Sequence, residues 1–303
     1  MYQILSSLFF AIIFFLSSSI HVYGATHDKT PNIRESVDSF KMLAWNIYML
    51  PPMLKFTGKK KRAKAIGDKL TKSDYDVIVF EEAFNGMARR RIWKRLKDKF
   101  PYTCGPAFKK KISIKTSSGV WILSQHPMKE LGKTKFREAK GVDRLARKGA
   151  LMVQVEKAGQ KFQIIGTHLN DMGPIKMRLS QLKQIRDDLL KVYGNHQTPI
   201  IIAGDYNIYR YKEPQAIDSI LNILGVKNYH LEGARQYSYD VKTNDLAYGG
   251  VTDEIDYAFF RPGDLTWVET HRSLPIIESI WKKGRKYLSD HNPLEFILFY
   301  KSK

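Results

Sequence analysis

The sequence predicts an α/β domain built on more than one mixed sheet, and three observations carry that expectation. Ile200-Ile201-Ile202-Ala203-Gly204-Asp205-Tyr206-Asn207 is a short β-branched run that stops on Gly, Asp and Asn. Such a run suits a strand covered on both faces that delivers polar side chains at its end. Strand-like runs alternate with helical spacing early in the chain, and hairpin-like pairs follow in the middle. At 303 residues, 43% hydrophobic and 12% aromatic, the chain can bury a substantial core.

Residues 1–24 contain no Lys, Arg, Asp or Glu, and the apolar run 4–16 gives way to serines and then to the small residues Val22 and Gly24. This is the pattern of a secretory signal peptide cleaved after Gly24. A transmembrane anchor is the alternative, which a short, Ser-interrupted run disfavours. No linker or repeat interrupts the remainder, so 25–303 is expected to form one domain. The single cysteine, Cys104, permits no internal disulfide, and its Tyr-Thr-Cys-Gly-Pro context reads as a strand end, not a catalytic thiol.

The stretch 39–46 alternates as a strand and ends on Asn46, before Pro51 and Pro52 stop regular structure. Ala63, Ile66 and Leu70 give 63–71 helical spacing. A second apolar strand, 76–82, runs into Glu81 and Glu82, and a basic helix over 87–99 follows. The segments 120–124 and 150–155 read as strands, the latter turning through Ala158 and Gly159 into 162–168 and His168. A long amphipathic helix over 175–192 precedes the opening strand, and 213–224 is helical. Strands at 255–260 and 293–300 close the chain, with Ser289-Asp290-His291 just before the last.

Fifty basic residues against 30 acidic ones give a net charge of +20. That field favours an anionic partner, either nucleic acid or a lipid headgroup surface. Basic clusters such as Lys59-Lys60-Lys61-Arg62 and Arg89-Arg90-Arg91 read individually as solvated faces.

Polar residues collect at the strand ends: Asn46, Glu82, His168, Asp205 with Asn207, Asp256, and Asp290 with His291. Strand ends of layered sheets can converge on one rim, where loops carry function. Acids, amides and imidazoles without a Ser or Cys nucleophile motif suit metal-assisted hydrolysis of a phosphate ester. Mg²⁺ takes hard oxygen donors and keeps several waters, a need that Glu82 with Asn46 meets. His291 is the candidate base, because imidazole titrates near neutrality, and Asp256 is its expected carboxylate partner. Asp205 and Asn207 would orient the water and the phosphoryl group, and His168 would donate to the charge that grows in the transition state.

The ordered set Asn46, Glu82, Gly166-Thr167-His168, Gly204-Asp205-Tyr206-Asn207, Ile255-Asp256-Tyr257 and Ser289-Asp290-His291-Asn292-Pro293 resembles the endonuclease/exonuclease/phosphatase superfamily. The resemblance covers about 41–300 and implies an α/β fold: a deoxyribonuclease-like four-layer α/β sandwich with two packed mixed β-sheets flanked by helices. It also implies that Glu82 binds the metal and that His291 is the general base. Within that superfamily the chain is similar to secreted bacterial sphingomyelinases of phospholipase C type. Trp45-Asn46-Ile47-Tyr48-Met49-Leu50, Phe80-Glu81-Glu82-Ala83-Phe84 and the 139–149 loop carry this likeness. The likeness adds Asp143, Lys148 and Phe84 as substrate contacts. It departs at Asn170 and Tyr206, where those enzymes usually have Gln and Met, and in the lack of a disulfide.

Near the C-terminus, Ile276, Ile277, Ile280 and Trp281 stand beside Lys282 and Lys283. Aliphatic and indole side chains next to lysines settle at bilayer interfaces, so Trp281 and Ile280 are candidate membrane contacts. An ordinary amphipathic hairpin is the alternative. The expected function is therefore a secreted Mg²⁺-dependent sphingomyelinase whose partner is a sphingomyelin-containing membrane surface, with no protein partner implied. A secreted metal-dependent endonuclease or phosphoinositide phosphatase of the same fold, and a catalytically inactive basic module, remain as alternatives. Nucleic acid is a partner only under these alternatives, the inactive module binding membranes or nucleic acid.

Overall fold

The computed structural model describes residues 37–51, 58–109 and 115–301. The expected signal peptide lies outside them. Among the described residues no helix is long and apolar enough to cross a membrane.

In chain order the strands are β1 (Val37–Asn46), β2 (Val77–Glu81), β3 (Tyr102–Cys104), β4 (Trp121–Ser124), β5 (Met128–Lys135), β6 (Gly149–Lys157), β7 (Gln160–His168), β8 (Ile200–Asp205), β9 (Tyr239–Asp240), β10 (Thr252–Asp253), β11 (Asp256–Arg261), β12 (Trp267–Ser273), β13 (Glu278–Lys282), β14 (Arg285–Tyr287) and β15 (Leu294–Lys301). The helices are α1 (Lys59–Leu70), α2 (Gly86–Leu96), α3 (Ile175–Ile185), α4 (Lys191–Tyr193) and α5 (Pro214–Leu224). A π-helical turn, Arg186–Leu190, joins α3 to α4, so the expected long helix is continuous but locally widened.

One six-stranded sheet runs β12-β15-β1-β2-β4-β3, and one five-stranded sheet runs β11-β8-β7-β6-β5. Both are mixed, because β1 and β2 are parallel, as are β7 and β8, while the other neighbours are antiparallel. Alternation within each strand explains the unbroken apolar runs. Met42 and Ala44 of β1 pack with Ile201 and Ala203 of β8 between the sheets. Leu43 and Trp45 face α1 and α2, whereas Ile200 and Ile202 face α3 and α5. The layers are therefore helix, sheet, sheet and helix, and each central strand buries both faces.

This arrangement aligns the functional ends. Parallel pairing puts Asn46 beside Glu81 at the end of β1 and β2, and His168 beside Asp205 at the end of β7 and β8. Antiparallel pairing brings the start of β11 to the same edge, with Asp256 opposite Asp205. The end of β1 likewise meets the start of β15, with Ala44 opposite Leu294.

Two edge strands, β5 and β12, escaped the sequence reading. Both carry charged residues along their length, β5 mostly exposed and β12 half-buried, so neither shows an apolar run. The basic run 59–62 also differs from expectation: it opens α1, and Arg62 is fully buried there rather than solvated.

Gly204 has φ +145°, and a Cβ added there would lie 1.9 Å from the Thr167 carbonyl oxygen. Gly204→Ala is expected to cost about 3 kcal/mol through overpacking and backbone strain between β7 and β8. Urea unfolding measures this, and a loss below about 1 kcal/mol would mean that the two strand ends are not held in this register.

Candidate active site

At the shared edge the loops enclose a cleft of about 540 Å³. Asn46, Glu82, Phe84, Asp143, Lys148, His168, Asp205, Asn207, Asp290 and His291 all line it. Asp256 stands behind the lining and acts through His291, whose Nδ1 lies 2.9 Å from its Oδ2. The other ring nitrogen, Nε2, lies 3.5 Å from Asn46 Nδ2 and 3.8 Å from Asp205 Oδ2. Asn46 Nδ2 donates to Asp205 Oδ2 at 3.0 Å, a bond that runs from one sheet to the other. Asn207 donates its side-chain N–H to the Leu169 carbonyl, and its backbone N–H to Asp205 Oδ1.

The 139–149 loop proves to be interior where it matters. Asp143 and Lys148 are both buried and form an ion pair at 2.8 Å. The Lys148 ammonium also lies 2.9 Å from His168 Nε2 and donates to the Leu169 carbonyl at 3.1 Å. Lysine can only donate, so His168 Nε2 is the acceptor and the ring is neutral. Burial holds the His168 pKa well below its ordinary value, and the positive charges of Lys148 and His291 add to this. That geometry leaves no proton on Nε2 for the donation expected of His168, and places the N–H at Nδ1, which has no hydrogen-bond partner.

Carboxylates crowd the opposite side. Burial, reinforced by Asp290, pushes the Glu82 carboxyl up to about 8. Burial, reinforced by Asp256, pushes Asp205 up to about 7. Glu82 Oε2 is buried without a hydrogen-bond partner. An orphaned buried carboxylate oxygen beside another carboxylate is what a divalent cation would satisfy, so this part of the cleft fits Mg²⁺. Asp205, Asp256 and His291 also offer ligand atoms within 4.8 Å of one another. A cation there would have to displace the His291–Asp256 bond, so Glu82 is the better fit.

The profile of the endonuclease/exonuclease/phosphatase family matches residues 43–291. The chain belongs to that family. Its relatives include Sphingomyelinase C 2 of Leptospira interrogans, 31% identical over 270 residues, which are 78% of this chain and 42% of that protein. The chain thus spans about two fifths of the length of the first curated relatives it matches. Among solved structures, a beta toxin of Staphylococcus aureus superposes with a TM-score of 0.76 at 25% identity, covering 85% of this chain and 99% of that one. A variant of the same toxin with bound magnesium ions shares the fold, with a TM-score of 0.75 at 23% identity over 88% of this chain and 100% of that one.

Several supporting residues of this family member were not legible in its sequence. Arg62 donates to the carbonyls of Ile47, Tyr48 and Leu288, clamping the loop after Asn46 to the segment before Ser289. Ser289 Oγ donates to the Asn46 carbonyl, and Ser238 Oγ accepts from the backbone N–H groups of Ile255 and Asp256. The Tyr239 ring meets the His291 ring edge-on at 5.0 Å. Glu81, next to Glu82, is fully buried with neither oxygen partnered, and burial holds it well above the usual carboxylate range. Tyr48, Glu82 and Asn207 have positive φ of 50–51°, an unfavourable conformation for side chains of this size that marks three of the site's loops. Ser289 and Glu81 lie in runs whose neighbours the sequence singled out, whereas Ser238 and Tyr239 carry no such local signal.

The membrane candidates part company. Ile280 is 81% exposed on β13, and Ile276 is 72% exposed before it. Trp281 is half-buried against the α1 side of the core and donates its indole N–H to the Tyr287 carbonyl at 2.7 Å. Its ring lies so close to Gly58 that a Cβ there would be 2.1 Å away. One side of Trp281 is therefore taken up by packing at the core edge, while Ile280 beside it stays exposed.

Burial pulls the His291 pKa down, but the charges of Asp256, Asp205 and Asp290 outweigh it and hold the imidazole well above its ordinary value. In the metal-free protein, NMR titration of the His291 ring should give a midpoint above 6.5, the unperturbed histidine value. Asp256→Asn removes a negative neighbour of the imidazolium and should lower that midpoint. A midpoint that does not move would break the assignment of the pair.

Proposed function

We propose that this chain is a secreted Mg²⁺-dependent sphingomyelinase whose one catalytic domain hydrolyses the phosphodiester of sphingomyelin to ceramide and phosphocholine. The observation that carries the reading is the meeting in one cleft of a carboxylate-backed histidine with an unpartnered buried carboxylate, His291–Asp256 against Glu82. The names of the relatives give the substrate class.

Bound at Glu82 with Asn46 and Asp290 beside it, Mg²⁺ would neutralise a nonbridging phosphoryl oxygen and ease departure of the alkoxide. With a cation offsetting the carboxylates that hold His291 protonated in the metal-free protein, neutral His291 would take the proton of the attacking water at Nε2, while Asp256 holds Nδ1–H and stabilises the imidazolium that forms. Asp205, within 3.8 Å of that nitrogen, orients the water, and Asn207 orients the phosphoryl group. On the far side the Lys148 ammonium, held by Asp143, His168 and the Leu169 carbonyl, adds a fixed positive charge that favours the charge growing on the phosphoryl oxygens. His168 positions that ammonium. Phe84 adds an apolar wall, and Ile276 with Ile280 presents aliphatic surface beside lysines to the bilayer.

A nuclease of the same fold is the second reading, favoured by the net charge of +20. Phosphocholine release from sphingomyelin vesicles, run beside plasmid nicking, separates the two. Release that stops on adding EDTA supports the first reading, whereas nicking without phosphocholine release replaces it with the second.

His291→Ala should lower turnover by about a thousandfold while vesicle binding is retained. Turnover within a few-fold of the parent would remove His291 from the base role. Glu82→Gln should lower the saturated rate and move the Mg²⁺ titration to higher concentration, and an unchanged titration would take Glu82 out of the metal shell.

A further inference from the structure

Behind the loop that carries Asp143 and Lys148 lies a second hollow of about 310 Å³. Lys115, Lys135, Arg137, Arg144 and Arg147 stand around it, and Glu138 is the one acidic side chain among the described residues that line it. These cations come from separate pieces of chain. Lys135 ends β5, Arg144 lies in a 3₁₀ turn, Gly141–Leu145, and Arg147 precedes β6. The backbone anchors two of them: Arg144 Nε donates to the Ala139 carbonyl at 3.2 Å, and Arg147 Nη1 to the Lys115 and Thr116 carbonyls at 2.7 and 3.1 Å. The Arg137 guanidinium reaches Asp188 at 3.3 Å.

The hollow also touches a buried polar group with no partner. Asn170, fully buried, lines it, and its Oδ1 makes no hydrogen bond. Its Nδ2 has only the Met177 thioether at 3.4 Å. Lys148 lines the hollow as well, but its ammonium is committed to Asp143, His168 and the Leu169 carbonyl. The hollow thus adjoins the catalytic cleft, and Ala146 and Lys148 line both.

Lys135 and Arg144, both exposed, bring positive charge to the rim of this concave surface, and such a field favours an anion within it. Planar guanidinium groups match phosphate oxygens, and a cavity of this size admits a phosphate with a small substituent. We propose that this hollow binds a phosphate-bearing anion, supplied by an anionic lipid headgroup or by free phosphate.

The test compares the parent with two double variants of equal charge. Lys135→Gln with Arg144→Gln alters the hollow, and Arg90→Gln with Lys94→Gln alters exposed positions on α2. Each is titrated with inorganic phosphate by calorimetry, and co-sedimented with phosphatidylcholine vesicles with and without one-fifth phosphatidylglycerol. Saturable phosphate binding that weakens about tenfold in the hollow variant alone supports the site. If phosphatidylglycerol-dependent sedimentation falls in the same variant and phosphate competes with it, the ligand is a headgroup. If sedimentation is the same in all three, the ligand is free phosphate. No saturable phosphate binding, or equal losses in both double variants, would overturn the proposal by leaving net charge as the whole effect.

Discussion

The whole arrangement rests on the dry packing of two mixed sheets. Met42, Ala44, Ile201 and Ala203 are fully or almost fully buried between them, with no room for the layers to slide. Because each sheet contains one parallel pair, its two carboxyl ends emerge at the same edge. Packing then sets the edges side by side, close enough for Asn46 of one sheet to bond Asp205 of the other at 3.0 Å. A catalytic constellation drawn from six distant segments is held by the core rather than by any local motif.

Concentrating ionisable groups at that edge carries an electrostatic cost that the structure meets in two ways. Asp256 with His291, and Asp143 with Lys148, form buried pairs in which each charge has a partner. Arg62 spends its buried guanidinium on three backbone carbonyls, which ties two site loops together. Glu82 and Asp205 remain uncompensated enough for burial to push both toward neutrality. A divalent cation would reverse that push, so metal binding and the ionisation of these carboxylates belong to one equilibrium.

The apolar strands with polar ends were legible because a strand buried on both faces leaves a continuous Ile, Val and Phe run, as at 200–202 and 77–80. The residues at those ends could be named one by one for the same reason. β5 and β12 stayed hidden because edge strands carry charge on their open side. Arg62 was misread because a basic run looks alike whether its members face water or backbone carbonyls. An indole beside lysines suits a bilayer and suits a core edge equally well, and only the structure shows that Trp281 packs at Gly58 and bonds the Tyr287 carbonyl.

By itself, the sequence determined the class of fold, the chemistry of the strand ends and the pairing of carboxylate with imidazole. Side-chain periodicity and residue chemistry are local properties, and a single chain displays them. Only the tertiary structure decided that Lys148 caps His168 at 2.9 Å and that Asp256 stands behind His291 rather than beside the substrate cleft. It alone placed a ring of cations around a hollow next to that cleft. Those outcomes depend on distances between segments far apart in the chain, which are fixed by how the layers pack and leave no trace in the local order of residues.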